Sequence, residues 1–231
     1  MKNLRIGDEV LDASENYVPV YSFGHRHEYV EGEFFQFLPS GLEMSKDHMV
    51  AVGGRFVPAS LVQLGDELES ENGHAMTVES IQTVSRQGLY APFTTLGTIL
   101  VNNIKASNYV TWQASDCLMI GCWTTPLPFW WVAHMSQLPH RICRQFWLSG
   151  ATKEYTVHGM STWVAVPHRL SLWLFEQNAA IVAVVLVPVL SVGFFSMAVE
   201  GFVSCLYISF LDLQRYDCSC RLSGTCLHKK Y

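Results

Sequence analysis

Ser45 and His48, in the run Ser45-Lys-Asp-His48, set a hydroxyl three residues ahead of an imidazole. Near neutral pH an imidazole can take or give a proton. A hydroxyl beside it can hydrogen-bond a carbonyl, or the tetrahedral oxyanion that develops when that carbonyl is attacked. The residue types therefore fit acyl transfer. Spacing alone does not decide it, because a histidine beside a strand is more often a satisfied structural residue. A soluble hydrolase with Ser45 as nucleophile would also need an acidic orienter and a glycine-framed turn, and neither accompanies the pair. Phe23-Gly-His25-Arg-His27 is the second imidazole-bearing run. It reads equally as a place for a base, His25, and as a solvated loop.

These residues must be positioned by a β framework. Gly41-Leu-Glu-Met-Ser45 and His48-Met-Val-Ala-Val52 are short apolar runs bounded by Pro39, Ser40, Gly53 and Gly54, so Ser45 and His48 fall at the end of one strand and the start of the next. Val20-Tyr-Ser-Phe-Gly-His25 and Glu33-Phe-Phe-Gln-Phe-Leu38 read as further short strands, and Pro58-Ala-Ser-Leu-Val62 as a helical turn or loop. An internal echo organises them. Leu4-Arg-Ile-Gly-Asp-Glu-Val10 returns as Val62-Gln-Leu-Gly-Asp-Glu-Leu68, and Val20, Ser22 and Phe23 meet Val78, Ser80 and Ile81 at the same offset. Matched flanks around a Gly-Asp turn predict two related all-β halves.

The stretch Gly88-Leu-Tyr-Ala-Pro-Phe-Thr-Thr-Leu-Gly-Thr-Ile-Leu-Val-Asn-Asn-Ile-Lys-Ala-Ser-Asn-Tyr-Val110 predicts a glycine-started turn, a strand Thr98–Val101, a two-residue Asn102-Asn103 connection and a return strand from Ile104. Asn tolerates the positive φ that a tight type I′ turn demands at both central positions. The same stretch closely resembles the closing segment of the Hint module, the self-processing domain shared by hedgehog proteins and inteins, in its hedgehog form. That resemblance implies a mainly β fold, a disc of long, curved strands with pseudo-two-fold halves, over residues 1–112. It also implies autoprocessing: self-cleavage through an N-to-S acyl shift and a thioester, the work of a cysteine-type autopeptidase. Ser45 and His48 stand where the family holds Thr-x-x-His. His25 stands where animal hedgehog proteins carry an aspartate implicated in activating the sterol hydroxyl that attacks the thioester. The expected catalytic residues are thus Ser45, His48 and His25, with the chain's own upstream polypeptide as substrate and a sterol or water as nucleophile. Asn108 takes the place of a cysteine usual in the closing motif, and structural pairing in a strand is expected of it. Family members begin with a cysteine nucleophile ahead of a segment like Met1-Lys-Asn-Leu-Arg-Ile-Gly-Asp8, so Met1 reads as an internal methionine. The chain as written is expected to lack the thiol and the bond it would cleave. The competing expectation is a catalytically inactive, membrane-anchored β module that binds or scaffolds.

Composition separates the second half. The chain has 231 residues and seven cysteines, all from Cys117 onward, and this odd count excludes complete pairing within the chain. A net charge of −5 gives no basic footprint for nucleic acid. Residues 113–231 form an aromatic, apolar tail in which Pro126-Leu-Pro-Phe-Trp-Trp-Val, Leu138-Pro-His-Arg-Ile and Phe146-Trp-Leu read as interfacial or amphipathic helices. Residues 179–199 carry no charge and have the length of a transmembrane helix. A helical, membrane-associated tail is therefore expected, with membrane localisation and a secretory-pathway setting for the β module. His134, His140 and Cys143, or Cys218, Cys220 and Cys226, lack the paired spacing of a structural zinc site. No metal or cofactor is expected, and the terminal cysteines suit lipidation better.

Overall fold

In the computed structural model the chain runs through five strands, β1 (Glu9–Leu11), β2 (Tyr17–Leu38), β3 (Leu42–Met44), β4 (His48–Val52) and β5 (Arg55–Pro58), to a 3-10 turn at Ala59–Leu61. Then follow β6 (Glu67–Glu69), β7 (Ala75–Thr77), β8 (Ser80–Thr94), β9 (Thr98–Val101), β10 (Ile104–Val110), β11 (Cys117–Ile120) and β12 (Trp123–Pro128). Three helices follow among the described residues, α1 (Phe129–Ser136), α2 (Leu138–Phe146) and α3 (Thr162–Phe175). The structure describes residues 1–120, 122–146 and 155–177, with short pieces between 180 and 198. Two compact units, Met1–Val185 and Leu186–Tyr231, divide the chain, and nearly all described residues belong to the first.

The two Gly-Asp turns are built with matching hydrogen bonds. Gly7 N–H donates to the Val20 carbonyl at 2.9 Å and Gly65 N–H to the Val78 carbonyl at 2.9 Å. Val20 N–H returns to the Asp8 carbonyl at 2.8 Å, and Val78 N–H to the Asp66 carbonyl at 2.9 Å. Asp8 Oδ2 accepts from Arg5 N–H and Asp66 Oδ2 from Gln63 N–H, both at 2.8 Å. Each aspartate thus closes its own turn while the glycine before it adopts the left-handed φ that Cβ would oppose, +95° at Gly7 and +89° at Gly65. The sequence echo is a repeated corner in three dimensions.

Where short strands are predicted between Val20 and Leu38, β2 is one strand of 22 residues, paired antiparallel with β8 from Val20↔Thr94 to Leu38↔Ser80. Register shifts at Val20/Ser22, Phe23/His25 and His27/Glu31 let it bend without ending. Gly88 likewise starts no turn. It lies inside β8 with φ +95°, opposite the irregular step between His27 and Glu31, and its freedom is used for a bulge. The hairpin Thr98–Ser107 forms as predicted, with Val101 paired to Ile104 and φ of +50° and +63° at Asn102 and Asn103.

Among the described residues β1, β2 and β3 form one sheet with β8 on β2, and a second sheet runs β7-β6-β4-β10-β9 with β5 on β4. Their apolar faces meet in a core around Phe37, Leu42, Val50, Leu68, Val78, Ile99 and Ile104. The helices pack back on the β framework through Trp112, whose ring meets Phe129 edge-on at 4.8 Å and His168 at 5.5 Å. Part of the apolar stretch 179–199 and all of 201–231, with Cys218, Cys220 and Cys226, lie outside the described residues. Among the described residues no helix is long and apolar enough to cross a membrane.

Candidate functional site

β3 ends at Met44 and β4 begins at His48, so the connection between two packed strands is only three residues. His48 N–H donates to the Ser45 carbonyl at 3.0 Å and closes the turn, which brings Ser45 Oγ within 2.7 Å of His48 Nδ1. The Ser-x-x-His spacing is therefore a local device, fixed by a tight turn between strands. The residue is half-buried, but its ring is shielded, and burial first and the charge of His25 second push its pKa down to about 4. A neutral imidazole at physiological pH has one donor and one acceptor nitrogen, and contact with Ser45 commits Nδ1.

His25 arrives from β2 and is paired to Ala91 of β8. Its free side is met by the segment 155–161, which returns from beyond α2. Arg26 N–H donates to the Gly159 carbonyl at 2.8 Å, Ser161 N–H donates to the Gly24 carbonyl at 2.9 Å, and His25 faces Met160 as a β-bridge. His25 Nε2 lies 2.7 Å from the His158 carbonyl. A carbonyl only accepts, so Nε2 holds the proton, and in the neutral ring Nδ1 is left as the basic atom.

His25, Ser45 and His48 line one cavity of about 210 Å³, roofed from the helical side by Trp112, Ala133, Met160, Val164 and Pro167. The three residues singled out from sequence are thus brought to one space. Ser45 and His48 also line a second cavity of about 410 Å³, bounded by β3, the Asn102 turn and β10, with Met1 at its side. Asn108 lines both cavities. Its backbone belongs to β10 as expected, but its side chain faces the site as well.

The framework behind these groups was not legible as a site. Tyr109 OH donates to His134 Nδ1 at 2.9 Å, and Arg141 Nη1 lies 3.2 Å from the same nitrogen and donates to the His134 carbonyl at 2.6 Å. Burial, then the Arg141 charge, pushes His134 down to about 3, so it stays a neutral acceptor that ties α1 to β10. His140 is also pushed down to about 4, by burial first and then by Arg144 and Arg141, and stacks on Trp163 with centroids 4.9 Å apart. These histidines pin helices to the β module. Among the described residues no cluster of His, Cys, Asp and Glu suits a metal ion. The segment carrying His158 and Gly159 has no sequence signal: it is short, mixed in polarity and not periodic.

No curated protein matches this chain. Among solved structures, the crystal structure of the gp41-1 intein is similar over 46% of this chain and 83% of its own, with 16% identity and a TM-score of 0.38. The crystal structure of the MchDnaB-1 intein is similar over 46% of this chain and 87% of its own, with 15% identity and a TM-score of 0.39. The family model of the Hint module matches residues 1–175, well over half of the chain, and the chain belongs to the Hint family.

Proposed function

We propose that this Hint module is a hedgehog-type autoprocessing domain that cleaves the peptide bond before a cysteine joined on its N-terminal side. The observation that carries the reading is the Ser45–His48 pair, 2.7 Å apart, opening on a cavity that Met1 also lines. A polypeptide joined ahead of Met1 would enter beside that pair. β3 and β9 are edge strands of their sheets among the described residues, so the 410 Å³ space between them suits an extended segment.

The chemistry follows from the donors available. In the His48 tautomer with its proton on Nδ1, the ring donates to Ser45 Oγ, keeps Nε2 as the base and turns the Ser45 O–H outward. Nε2 takes the proton of the cysteine thiol, and the thiolate attacks the preceding carbonyl carbon. Ser45 O–H donates to the oxyanion as it forms. The C–N bond breaks, the C–S bond remains, and the proton passes from Nε2 to the leaving nitrogen. A ring pushed down to about 4 is a weak base and a ready proton donor, so it takes the thiol proton only as the sulfur attacks and gives it up readily to the leaving nitrogen. The second step releases the upstream polypeptide from sulfur. His25 Nδ1 takes the proton of an attacking hydroxyl, from water or a sterol, in a cavity whose lining is mostly apolar, including Leu89, Phe93, Val110 and Val164. Membrane contact by the helical tail belongs to the same reading: Val166, Leu170 and Trp173 of α3 are exposed apolar side chains.

The test is a fusion of a reporter protein, a glycine, and a cysteine-started strand to the N-terminus of the full chain, incubated with hydroxylamine or dithiothreitol and followed by gel electrophoresis. Release of the reporter at the cysteine is expected, and His48→Ala should slow it by about 100-fold or more. Equal persistence of both fusions would leave the protein as a β module that binds and does not cleave.

A further inference from the structure

Asn108 is a buried polar group that the steps above leave unused. It is 4% exposed, and its Oδ1 has no hydrogen-bond partner among the described residues. The orientation of its amide is fixed by a chain of donors. Thr94 Oγ1 spends its only proton on the Thr98 carbonyl at 2.7 Å, so at 2.9 Å it can only accept, and Asn108 must present Nδ2 to it. That leaves Oδ1 as an acceptor in a place where a buried acceptor should have a donor. The backbone supports the same aim. β10 pairs Ala106 with Val50 and Val110 with His48, so Ser107, Asn108 and Tyr109 lie opposite Met49 alone in a bulge, a device that redirects side chains at sheet positions. The bulge sits one pair away from His48, and Asn108 shares both cavities with Ser45 and His48.

We propose that Asn108 contacts the substrate in the cleavage reaction: Oδ1 accepts the N–H of the scissile peptide and holds that nitrogen while it is protonated and leaves. The proposal rests on the autoprocessing reading above. Asn108 exchanges no proton itself; the C–S bond forms, the C–N bond breaks, and the thiol's proton reaches nitrogen through His48. The contact favours the reaction because it strengthens along the path. A neutral amide N–H is a modest donor, whereas a nitrogen that has gained a proton carries positive charge and makes a charge-assisted bond to the same oxygen. An acceptor there stabilises the departing amine more than the starting amide.

The experiment uses the full-chain fusion with Asn108→Leu and Asn108→Asp beside the parent and His48→Ala, measuring both the dithiothreitol-induced cleavage rate and the thermal midpoint. Asn108→Leu should slow cleavage by about tenfold, the loss of one net hydrogen bond in the transition state. Its thermal midpoint should stay near the parent's, because the lost bond from Nδ2 to Thr94 Oγ1 is offset by removal of an unpartnered buried acceptor. Asn108→Asp keeps an acceptor oxygen for the substrate when its other oxygen is protonated and donates to Thr94 Oγ1, and should then recover most of the rate. Asn108→Ala carries the same expectation as Asn108→Leu and replaces it should the leucine variant lose its cooperative transition. A variant without the acceptor that cleaves as fast as the parent, while His48→Ala remains slow, overturns the proposal and leaves the autoprocessing reading standing. Equal slowing by Asn108→Leu and Asn108→Asp overturns it too. A parent fusion no faster than His48→Ala removes the autoprocessing reading and this proposal with it.

Discussion

His48 and His25 share the 210 Å³ cavity, and the charge of His25 is the second cause, after burial, that holds His48 at about 4. Replacing His25 with alanine should therefore raise the His48 midpoint part of the way toward its ordinary value of 6.5, and no further, because burial remains. Ring resonances followed by NMR titration would check it; an unmoved His48 midpoint would show that the two rings do not sense each other. Ser45 supports a separate expectation. If its hydroxyl meets the oxyanion, Ser45→Ala should slow thiol-induced cleavage by about 100-fold, while Ser45→Thr, which keeps the hydroxyl, stays within a few-fold of the parent. Equal rates for the three proteins would remove Ser45 from the mechanism. The contact between Ser45 and His48 is local, made within one three-residue turn, while the role expected of the pair came from resemblance. His25 could be placed only by resemblance, since its partner, the His158 carbonyl, comes from 133 residues away. The acceptor role argued for Asn108 depends on what Thr94 does with its proton, which no linear pattern records.

Elements were legible where one local rule dominates. The Asn102-Asn103 turn and the paired Gly-Asp corners are short-range conformational demands, and the chain obeys both. The length of β2 was not legible, because the bulges that carry it past Gly24 and Gly32 depend on β8 lying opposite. The segment 155–161 was hidden for the same reason: it becomes structure only by pairing with Gly24 and Arg26. Its weak point is Gly159, with φ +79° and no room for a side chain, since a Cβ there would stand 2.5 Å from the Arg26 carbonyl oxygen and 2.7 Å from His27 Cβ. Gly159→Ala should cost about 1–3 kcal/mol in urea unfolding, from backbone strain and a contact that cannot yield. It should also free the amide of Arg26 to exchange with solvent faster than those of β4, because the bond to the Gly159 carbonyl is lost. Unchanged Arg26 protection in the variant would mean that the segment is not held where it is described. In α3, Val166, Leu170 and Trp173 follow helical spacing on one exposed face. On the proposed reading of a membrane-seeking tail, the parent should float with phosphatidylcholine vesicles and Leu170→Glu with Trp173→Glu should reduce that flotation; a parent that does not float, or a variant that floats undiminished, would exclude this face from such a role.

Across the molecule, His48, His134 and His140 act together on stability because each is kept neutral by its surroundings, with folded values of about 4, 3 and 4. In the unfolded chain each returns to the ordinary value of 6.5. Between that value and the folded ones the unfolded chain binds more protons than the folded chain, so stability must rise with pH in this window and fall as the solution is acidified through it. The contribution is complete above about pH 6.5 and is lost as pH drops toward 4 for His48 and His140 and toward 3 for His134. Each histidine that titrates only in the unfolded chain should add about 1.4 kcal/mol to the loss for every pH unit. His140 isolates the effect from the candidate site. Its ring stacks on Trp163 with a 4° interplanar angle and meets Tyr21 edge-on at 5.2 Å, contacts that a phenylalanine can keep. His140→Phe should thus flatten the dependence of the urea midpoint on pH between 6.5 and 4 by one histidine's share, while leaving cleavage at neutral pH as in the parent. The bond to Gln137 Oε1 at 3.3 Å is forfeited, a loss that does not change with pH between 6.5 and 4 and so leaves the slope untouched. A variant whose slope equals the parent's would show that His140 is protonated in the folded protein, and the helices would then have to be held over the site by something other than a neutral stacked ring.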